Sequence, residues 1–212
     1  MSVPAELQGA RVLDVCCRAG KGAYELSDYV GAGGFVLGVD PDPSRIARAA
    51  ANAADNHWAG SSWPTYLRFQ CTYPEDLARV GVRDSSFDLV YINCELNAVW
   101  DLCLALSEFA RVLRNGGRLW VAQGIFCRDG AAAGLGLSEP FSGEAEDYRD
   151  AGTSGNVFMR AHTQRAFEKL CLEAGCRCCS FGAEVPAVPD GDDAAEGLGA
   201  SSFVSCDACA VR

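Results

Sequence analysis

The sequence predicts a three-layer α/β sandwich with a mostly parallel sheet that ends in an antiparallel pair of strands. Short apolar runs alternate with amphipathic helical segments along most of the chain, and two strand-like segments around a loop close it. Residues 11–40 give the clearest signal, because they read as a strand, a turn of small residues, a helix, and a second strand that stops on an acid. This order is typical of a nucleotide-binding βαβ unit.

Each element has its own signal in the pattern of apolar residues. The predicted strands cover residues 12–15, 35–39, 66–69, 87–92, 118–123, 177–184 and 203–211. The predicted helices cover residues 21–30, 42–56, 74–79, 99–113 and 163–174. Pro43 suits the first turn of the second helix, where its missing N–H has no helical partner to lose. Asn115, Gly116 and Gly117 form a stop signal after the fourth.

Length and composition bound the number of domains. A chain of 212 residues that is 49% hydrophobic can bury one well-packed core but is short for two. We therefore expect a single domain over residues 1–212. Residues 128–160 interrupt the rhythm of strands and helices and are rich in glycine, alanine and acids, which indicates a cover loop.

The charge balance excludes some partners. A formal net charge of −10 argues against nucleic acid, because phosphate binding needs clustered lysine and arginine, and it also disfavours a membrane surface. The first ten residues carry neither a basic flank nor an apolar core, and no apolar run approaches the ~20 residues that span a bilayer. The expected location is cytoplasmic.

The chain contains twelve cysteines, which we expect to be reduced and mostly to fill core positions. A zinc site is the alternative for the late group at Cys176, Cys178, Cys179, Cys206 and Cys209. Strand geometry disfavours it, because residues an odd number apart on a strand face opposite sides of the sheet. We therefore expect no metal site.

Candidate ligand-binding residues follow the carboxyl ends of successive strands, where open parallel sheets bind ligands. An adenosyl ligand suits them: Asp40 would accept hydrogen bonds from ribose hydroxyls, and Glu75 from an adenine amino group with Pro74 against the ring. Asp40 could otherwise be a turn residue, and Glu75 a solvated acid at a helix start. The candidates for cofactor binding are Asp14, Cys16, Arg18, Gly20, Asp40, Pro41, Pro74, Glu75 and Asn93.

Four stretches carry a family resemblance: VLDV at 12–15, GVD at 38–40, FDLVYINCELNAV at 87–99 and LSEFARVLRNGGRLWVA at 106–122. They resemble the class I S-adenosylmethionine-dependent methyltransferases, and most of all the arsenite methyltransferase family. The resemblance implies a Rossmann-like methyltransferase fold, S-adenosylmethionine as cofactor, and a small-molecule substrate such as arsenite or a thiol conjugate.

The resemblance also implies a thiol-based chemistry. Cysteine sulfurs would hold trivalent arsenic, whose lone pair attacks the cofactor methyl carbon. Cys94 matches the family cysteine beside that methyl and is the implied catalytic residue and arsenic ligand. The sulfonium charge would favour a thiolate there near neutral pH.

Three departures from the family pattern leave a second hypothesis open. Cys16 and Arg18 stand where the family has glycine, although Arg18 could instead reach the ligand's carboxylate. Thr153 replaces a late family cysteine, and only about ten residues precede the first strand. Cys16 and Cys17 are candidate surrogate thiols. The alternative function is a catalytically degenerate methyltransferase-fold protein that acts as a binding or regulatory partner, and a third is methylation of oxygen or nitrogen on a small metabolite.

Overall fold

The computed structural model describes residues 2–56, 66–129, 158, 160–188 and 202–212. Most of the expected cover loop, including Thr153, lies outside this part of the chain. The described strands are β1 (Arg11–Val15), β2 (Phe35–Asp40), β3 (Tyr66–Cys71), β4 (Phe87–Asn93), β5 (Leu113–Cys127), β6 (Cys178–Phe181), β7 (Val185–Ala187) and β8 (Phe203–Val211). The helices are α1 (Lys21–Val30), α2 (Pro43–Asn56), α3 (Leu102–Val112) and α4 (Gln164–Glu173), and the 3₁₀ turns are Ala78–Val80 and Leu96–Ala98.

The sheet is mostly parallel, as the sequence predicts. Its strand order is β3-β2-β1-β4-β5-β8-β6, with β7 also paired to β8. The first five strands in this order are parallel, and every pairing with β8 is antiparallel. The chain leaves β1 toward β2 and β3 and later returns to β4 on the other side of β1. Open parallel sheets bind ligands at such a reversal, so the expected ligand crevice lies beyond the carboxyl ends of β1 and β4.

Alternating side chains of the central strands enter two separate cores. Val12 of β1 packs with Ala23, Leu26 and Val30 of α1 on one face of the sheet. Its neighbour Leu13 belongs to the larger core that contains the buried faces of α3 and α4 on the other side. Because successive strand residues point to opposite faces, this division confirms the three layers and gives a Rossmann-like fold.

The junction between α3 and β5 differs from the predicted one. The helix begins at Leu102, where the Asp101 side chain accepts the Leu104 N–H at 2.9 Å, rather than at residue 99, and it ends at Val112, next to the predicted end at residue 113. Leu113 is already extended and fully buried. Gly116 and Gly117 lie instead in an irregular part of β5, where the register to β4 shifts between Phe87 and Leu89. The strand β5 therefore begins at Leu113 rather than at the predicted residue 118.

Gly20, directly before α1, should tolerate no side chain. Its φ is 86°, and a Cβ atom there would lie 2.9 Å from Phe69 Cζ and from the Tyr24 hydroxyl oxygen, and 3.0 Å from Ala49 Cβ. We expect Gly20→Ala to lower the free energy of unfolding by about 3 kcal/mol, because left-handed strain and overpacking add. Urea denaturation measures this change.

Gly33→Ala is the matched control for this prediction. Gly33 has a similar φ of 81°, but nothing lies within 4 Å of a Cβ atom there. Gly33→Ala should therefore lower the free energy of unfolding by only about 1 kcal/mol, the cost of alanine in the left-handed region. Equal losses in the two variants would show that crowding at Gly20 contributes nothing.

Candidate active site

The candidate site lies at the carboxyl edge of the parallel strands, around the reversal in strand order. Cys16 follows β1 directly, Asp40 ends β2, and Asn93 ends β4 and is followed by Cys94. β1 pairs with both β2 and β4, so these strand ends are neighbours. The fold therefore brings together residues that are far apart in the sequence.

The loop from β1 to α1 follows an unusual backbone path. Cys16, Arg18 and Gly20 all have positive φ, at 55°, 53° and 86°. Cys17 lies between them, and its N–H donates to Val39 O at 3.0 Å. Glycine adopts this region freely, whereas other residues are strained there by about 1–3 kcal/mol each. The chain thus keeps a glycine-type loop path with a cysteine and an arginine at two of its turning points.

Asp40 holds this loop in place. Its side chain is 1% exposed, and Oδ2 accepts the Arg18 N–H at 3.0 Å while Oδ1 accepts the Asp42 N–H at 2.9 Å. The Arg45 guanidinium approaches Oδ2 at 3.8 Å. A carboxylate offers about four lone-pair positions, so two backbone hydrogen bonds leave room for ribose hydroxyls. Pro41 follows half-buried, and its carbonyl accepts from the Cys71 thiol at 3.4 Å.

Arg18 forms an ion pair within the candidate site. Its Nη1 contacts Glu95 Oε1 at 2.9 Å and joins the loop after β1 to the segment after β4. The Arg18 side chain is 61% exposed, so this ion pair is weak and a competing carboxylate can replace it. Glu95 was absent from the sequence-based candidates, although it directly follows Cys94.

Glu75 and Pro74 follow β3 and lie near the start of α3. Glu75 Oε1 accepts the N–H of Asp101, the residue that caps α3, at 2.9 Å. Oε2 is buried and has no hydrogen-bond partner among the described residues, and burial raises the pKa of this carboxyl. Pro74 is itself buried. Glu75 is therefore an anchor for α3 that keeps one buried acceptor oxygen, rather than a solvated acid at a helix start.

Asp14 is a buried acid behind the loop. It is 3% exposed, and its Oδ2 has no hydrogen-bond partner among the described residues. Burial, followed by the charge of Asp40, raises its pKa to about 8. Gly22 in the first turn of α1 leaves space for it, since a Cβ atom there would lie 3.3 Å from Oδ2. Asp14 is therefore a neutral acid under ordinary conditions.

Cys94 is exposed at the edge of the site and has a φ of 61°. Its N–H donates to Ala122 O at 2.9 Å, and its Sγ lies 3.5 Å from both Asn93 Oδ1 and Gln123 Oε1. Burial raises the pKa of the thiol above its ordinary value, Glu95 adds to the rise, and Arg18 opposes it. Without a bound cation the thiol stays protonated at neutral pH, so the expected thiolate depends on the cofactor charge.

The candidate surrogate thiols are less available than Cys94. Cys16 is half-buried against the larger core, and Cys17 is fully buried. Burial raises the pKa of both thiols, with further contributions from neighbouring carboxylates. Within the described ranges, no three or more His, Cys, Asp or Glu side chains converge as metal ligands.

The domain that contains the candidate site matches a known protein family. Residues 6–146 match the family model for the methyltransferase domain. The chain belongs to the methyltransferase domain family. Among curated proteins it is similar to the arsenite methyltransferases of Aquipseudomonas alcaligenes, at 38% identity over 117 residues, and of Mus musculus, at 34% over 124 residues. These matches cover 55% and 57% of this chain but only 33% and 32% of the two relatives.

A solved structure extends the similarity over the whole chain. An arsenic(III) S-adenosylmethionine methyltransferase from Chlamydomonas reinhardtii superposes with a TM-score of 0.78 at 26% identity, and covers 99% of this chain and 66% of that protein. The fold is thus that of class I methyltransferases. The chain spans about a third of the length of the curated relatives that it matches.

S-adenosylmethionine is the cofactor that this family membership indicates, and the residues of the site fit it. Asp40 has spare acceptor capacity at the end of β2. Glu75 Oε2 is a buried acceptor without a partner among the described residues. The start of α1 provides backbone N–H groups and a positive dipole end, which suit a carboxylate.

Besides Glu95, sequence reasoning missed two further residues of the candidate site, Gln123 and Asp207. Gln123 contacts Cys94 Sγ, and its N–H donates to Asp207 Oδ1 at 2.9 Å. Gln123 ends the strand predicted at residues 118–123, so the rule for strand ends would have found it, although the observed β5 continues to Cys127. Asp207 lies within β8, and only the antiparallel register places it there.

No helix in the described part of the chain combines the length and apolarity that crossing a membrane requires.

The raised pKa of Asp14 predicts a pH-dependent stability. Between the ordinary value of 3.8 and about 8, the unfolded chain loses the Asp14 proton while the folded chain keeps it. This carboxyl therefore destabilises the fold increasingly as the pH rises, by at most about 1.4 kcal/mol per pH unit. Asp14→Asn cannot ionise, so its stability relative to the parent should grow from pH 4 to 8 and then level off.

Thermal or urea denaturation of both proteins across this pH range measures the difference. Asp28→Asn, which removes an exposed carboxylate of α1, is the control for the loss of one negative charge. A parent–variant difference that stays constant with pH would show that Asp14 ionises normally in the folded protein.

Proposed function

We propose that the chain is an S-adenosylmethionine-dependent methyltransferase that methylates trivalent arsenic held by Cys94. The observation that carries this proposal is the exposed thiol at the end of β4, beside the crevice that Asp40 and the loop after β1 enclose. Soft sulfur ligands suit a thiophilic centre such as arsenic(III). The named activity of the similar proteins supports the same substrate.

Cys94 would bind arsenic by ligand exchange. A sulfur–arsenic bond forms, and the thiol proton leaves with the displaced ligand, as water from arsenite or as a free thiol from an arsenic–thiol conjugate. The cofactor supplies an electrophilic methyl group. Asp40 and Glu75 would hold its ribose and adenine, and Cys94 would fix the arsenic lone pair in reach, so that proximity and orientation provide most of the rate.

A thiol conjugate suits this chain better than free arsenite. Cys94 is the exposed thiol that follows β4, while Cys16 and Cys17 are half-buried and fully buried. Cys71 is also exposed, but it ends β3 and its thiol donates to Pro41 O at 3.4 Å. One protein sulfur leaves two arsenic ligands to come from elsewhere. Small thiols already bound to the arsenic fill these places.

One observation favours the degenerate alternative. Arg18 and Cys16 occupy strained positions in the loop, and Arg18 is paired with Glu95 across the crevice. Calorimetry of the reduced protein with S-adenosylmethionine and S-adenosylhomocysteine separates the two functions. Micromolar binding supports the enzyme, whereas no heat and no thermal stabilisation at millimolar ligand supports a binding or regulatory role.

Cys94→Ser tests the arsenic step. We expect the variant to bind the cofactor like the parent but to lose at least 100-fold in methylation of arsenite with a small thiol present, because an alcohol does not replace a thiol toward arsenic. Product is measured as methylated arsenic by chromatography. Cys103→Ser removes another exposed thiol, on α3, and should retain activity. Equal turnover in both variants would exclude Cys94.

Asp40→Asn tests the cofactor site. The variant keeps one acceptor oxygen but loses the charge, so its affinity for S-adenosylhomocysteine should fall about tenfold or more, in line with ~1.5–3 kcal/mol for a hydrogen bond to a charged group. Asp88→Asn is the matched control. Asp88 also accepts a backbone N–H, from Arg11 at 2.7 Å, but it lies at the opposite edge of the sheet. If Asp40→Asn binds like Asp88→Asn, Asp40 does not hold the ribose.

A further inference from the structure

A β-bulge in β5 aims a side chain at Cys94. Val121 pairs with Ala208 and Gly124 pairs with Cys206, so Ala122 and Gln123 together face the single residue Asp207. Gln123 has a φ of 51°, and its N–H donates to Asp207 Oδ1 at 2.9 Å. A bulge of this kind breaks the alternation of a strand and re-aims one side chain.

The bulge and Cys94 are joined at two points. The Cys94 N–H donates to Ala122 O at 2.9 Å, and the Cys94 Sγ lies 3.5 Å from Gln123 Oε1. Asp207 is itself held, because the hydroxyl of Ser2 donates to its Oδ2. The position of the sulfur is thus tied to the bulge rather than to β4 alone.

A terminal amide suits a sulfur that gains and loses a proton. Its oxygen accepts from a thiol, and after rotation of the amide its NH₂ group donates to a thiolate. A methionine or leucine offers neither group, and a carboxylate offers only the acceptor. Gln123 can therefore remain bonded to Cys94 before and after the proton leaves.

We infer that Gln123 is a positioning residue for Cys94: its amide holds the sulfur at the edge of the crevice and donates to it once the thiol proton has left. The claim that this contact assists arsenic binding rests on the proposed function, in which Cys94 exchanges its proton for arsenic. The contact itself does not depend on that function, since it joins two described side chains.

The variant Gln123→Gly removes the amide beside Cys94 while keeping the backbone conformation, so it tests positioning without impairing folding. Glycine adopts a φ of 51° without strain, so the variant should be at least as stable as the parent. Without the amide donor, however, the Cys94 thiolate is harder to form. Gln123→Asn tolerates the same backbone conformation and keeps a shorter amide, so it should restore part of the effect. Gln123→Glu keeps the length but cannot donate in its ionised form.

The measurement is the rate of alkylation of Cys94 by iodoacetamide as a function of pH, followed by mass spectrometry of its peptide. The plateau at high pH reports access to the sulfur, and the midpoint reports loss of the proton. We expect Gln123→Gly to shift the midpoint up by about one pH unit, which slows alkylation about tenfold at neutral pH. The shift should be larger for Gln123→Glu and smaller for Gln123→Asn. Cys103 in the same sample is the internal reference.

A midpoint unchanged in Gln123→Gly overturns the inference, and so does a shift that Cys103 shares. The assay contains neither cofactor nor arsenic. A midpoint shift in a protein that does not methylate arsenic would therefore retain the role of Gln123 and refute the proposed substrate. Normal methylation of arsenic together with an unchanged midpoint in Gln123→Gly would retain the proposed substrate and refute the role of Gln123.

Discussion

The buried carboxylate of Asp40 is the interaction on which the site depends. It ends β2, accepts one N–H from the loop after β1 and one from the start of the segment that leads into α2, and lies near the Arg45 guanidinium. Burial of a charge without partners is unfavourable by several kcal/mol, so these hydrogen bonds are needed for the carboxylate to stay in place. The same carboxylate places the loop in which Cys16 and Arg18 take unfavourable backbone angles. Any ligand that displaced the Arg18 N–H would disturb this loop.

Backbone strain is concentrated around the site. In the described part of the chain, six residues other than glycine have positive φ, and four of them, Cys16, Arg18, Cys94 and Gln123, lie at the carboxyl edge of the sheet. Each conformation is held by a contact from another segment, such as Asp40 for Arg18 and Asp207 for Gln123. Strain of this kind persists only where the surroundings fix it, and it commonly marks functional sites. The distribution therefore marks this edge of the sheet as the candidate site, whether or not the loop after β1 still binds the cofactor.

Local signals in the sequence predicted the fold more completely than the site. Hydrophobic periodicity gave the first βαβ unit, because each of its elements buries one face. The predicted start of β5 was wrong, since the strand begins at Leu113 and contains the glycines that were expected to separate it from α3. The placement of Asp40 and Cys94 followed from the rule for strand ends. The partners of Arg18, Glu75 and Gln123 did not, because they depend on register, on a bulge and on side-chain directions that no local pattern contains.

The raised pKa of Cys94 is compatible with arsenic binding by exchange. When a thiol replaces another thiol on arsenic, the incoming sulfur gives up a proton and the leaving sulfur takes one, so no net charge is created. A thiol that is protonated at rest does not oppose such a step, whereas a permanent thiolate beside Glu95 would suffer from like charge. The amides of Asn93 and Gln123 then act as neutral neighbours that suit both protonation states of the sulfur. In the proposed function, the two amides beside Cys94 thus let the sulfur accept and release a soft substrate, while the opposite charges of Glu95 and Arg18 act on the thiol pKa in opposite directions.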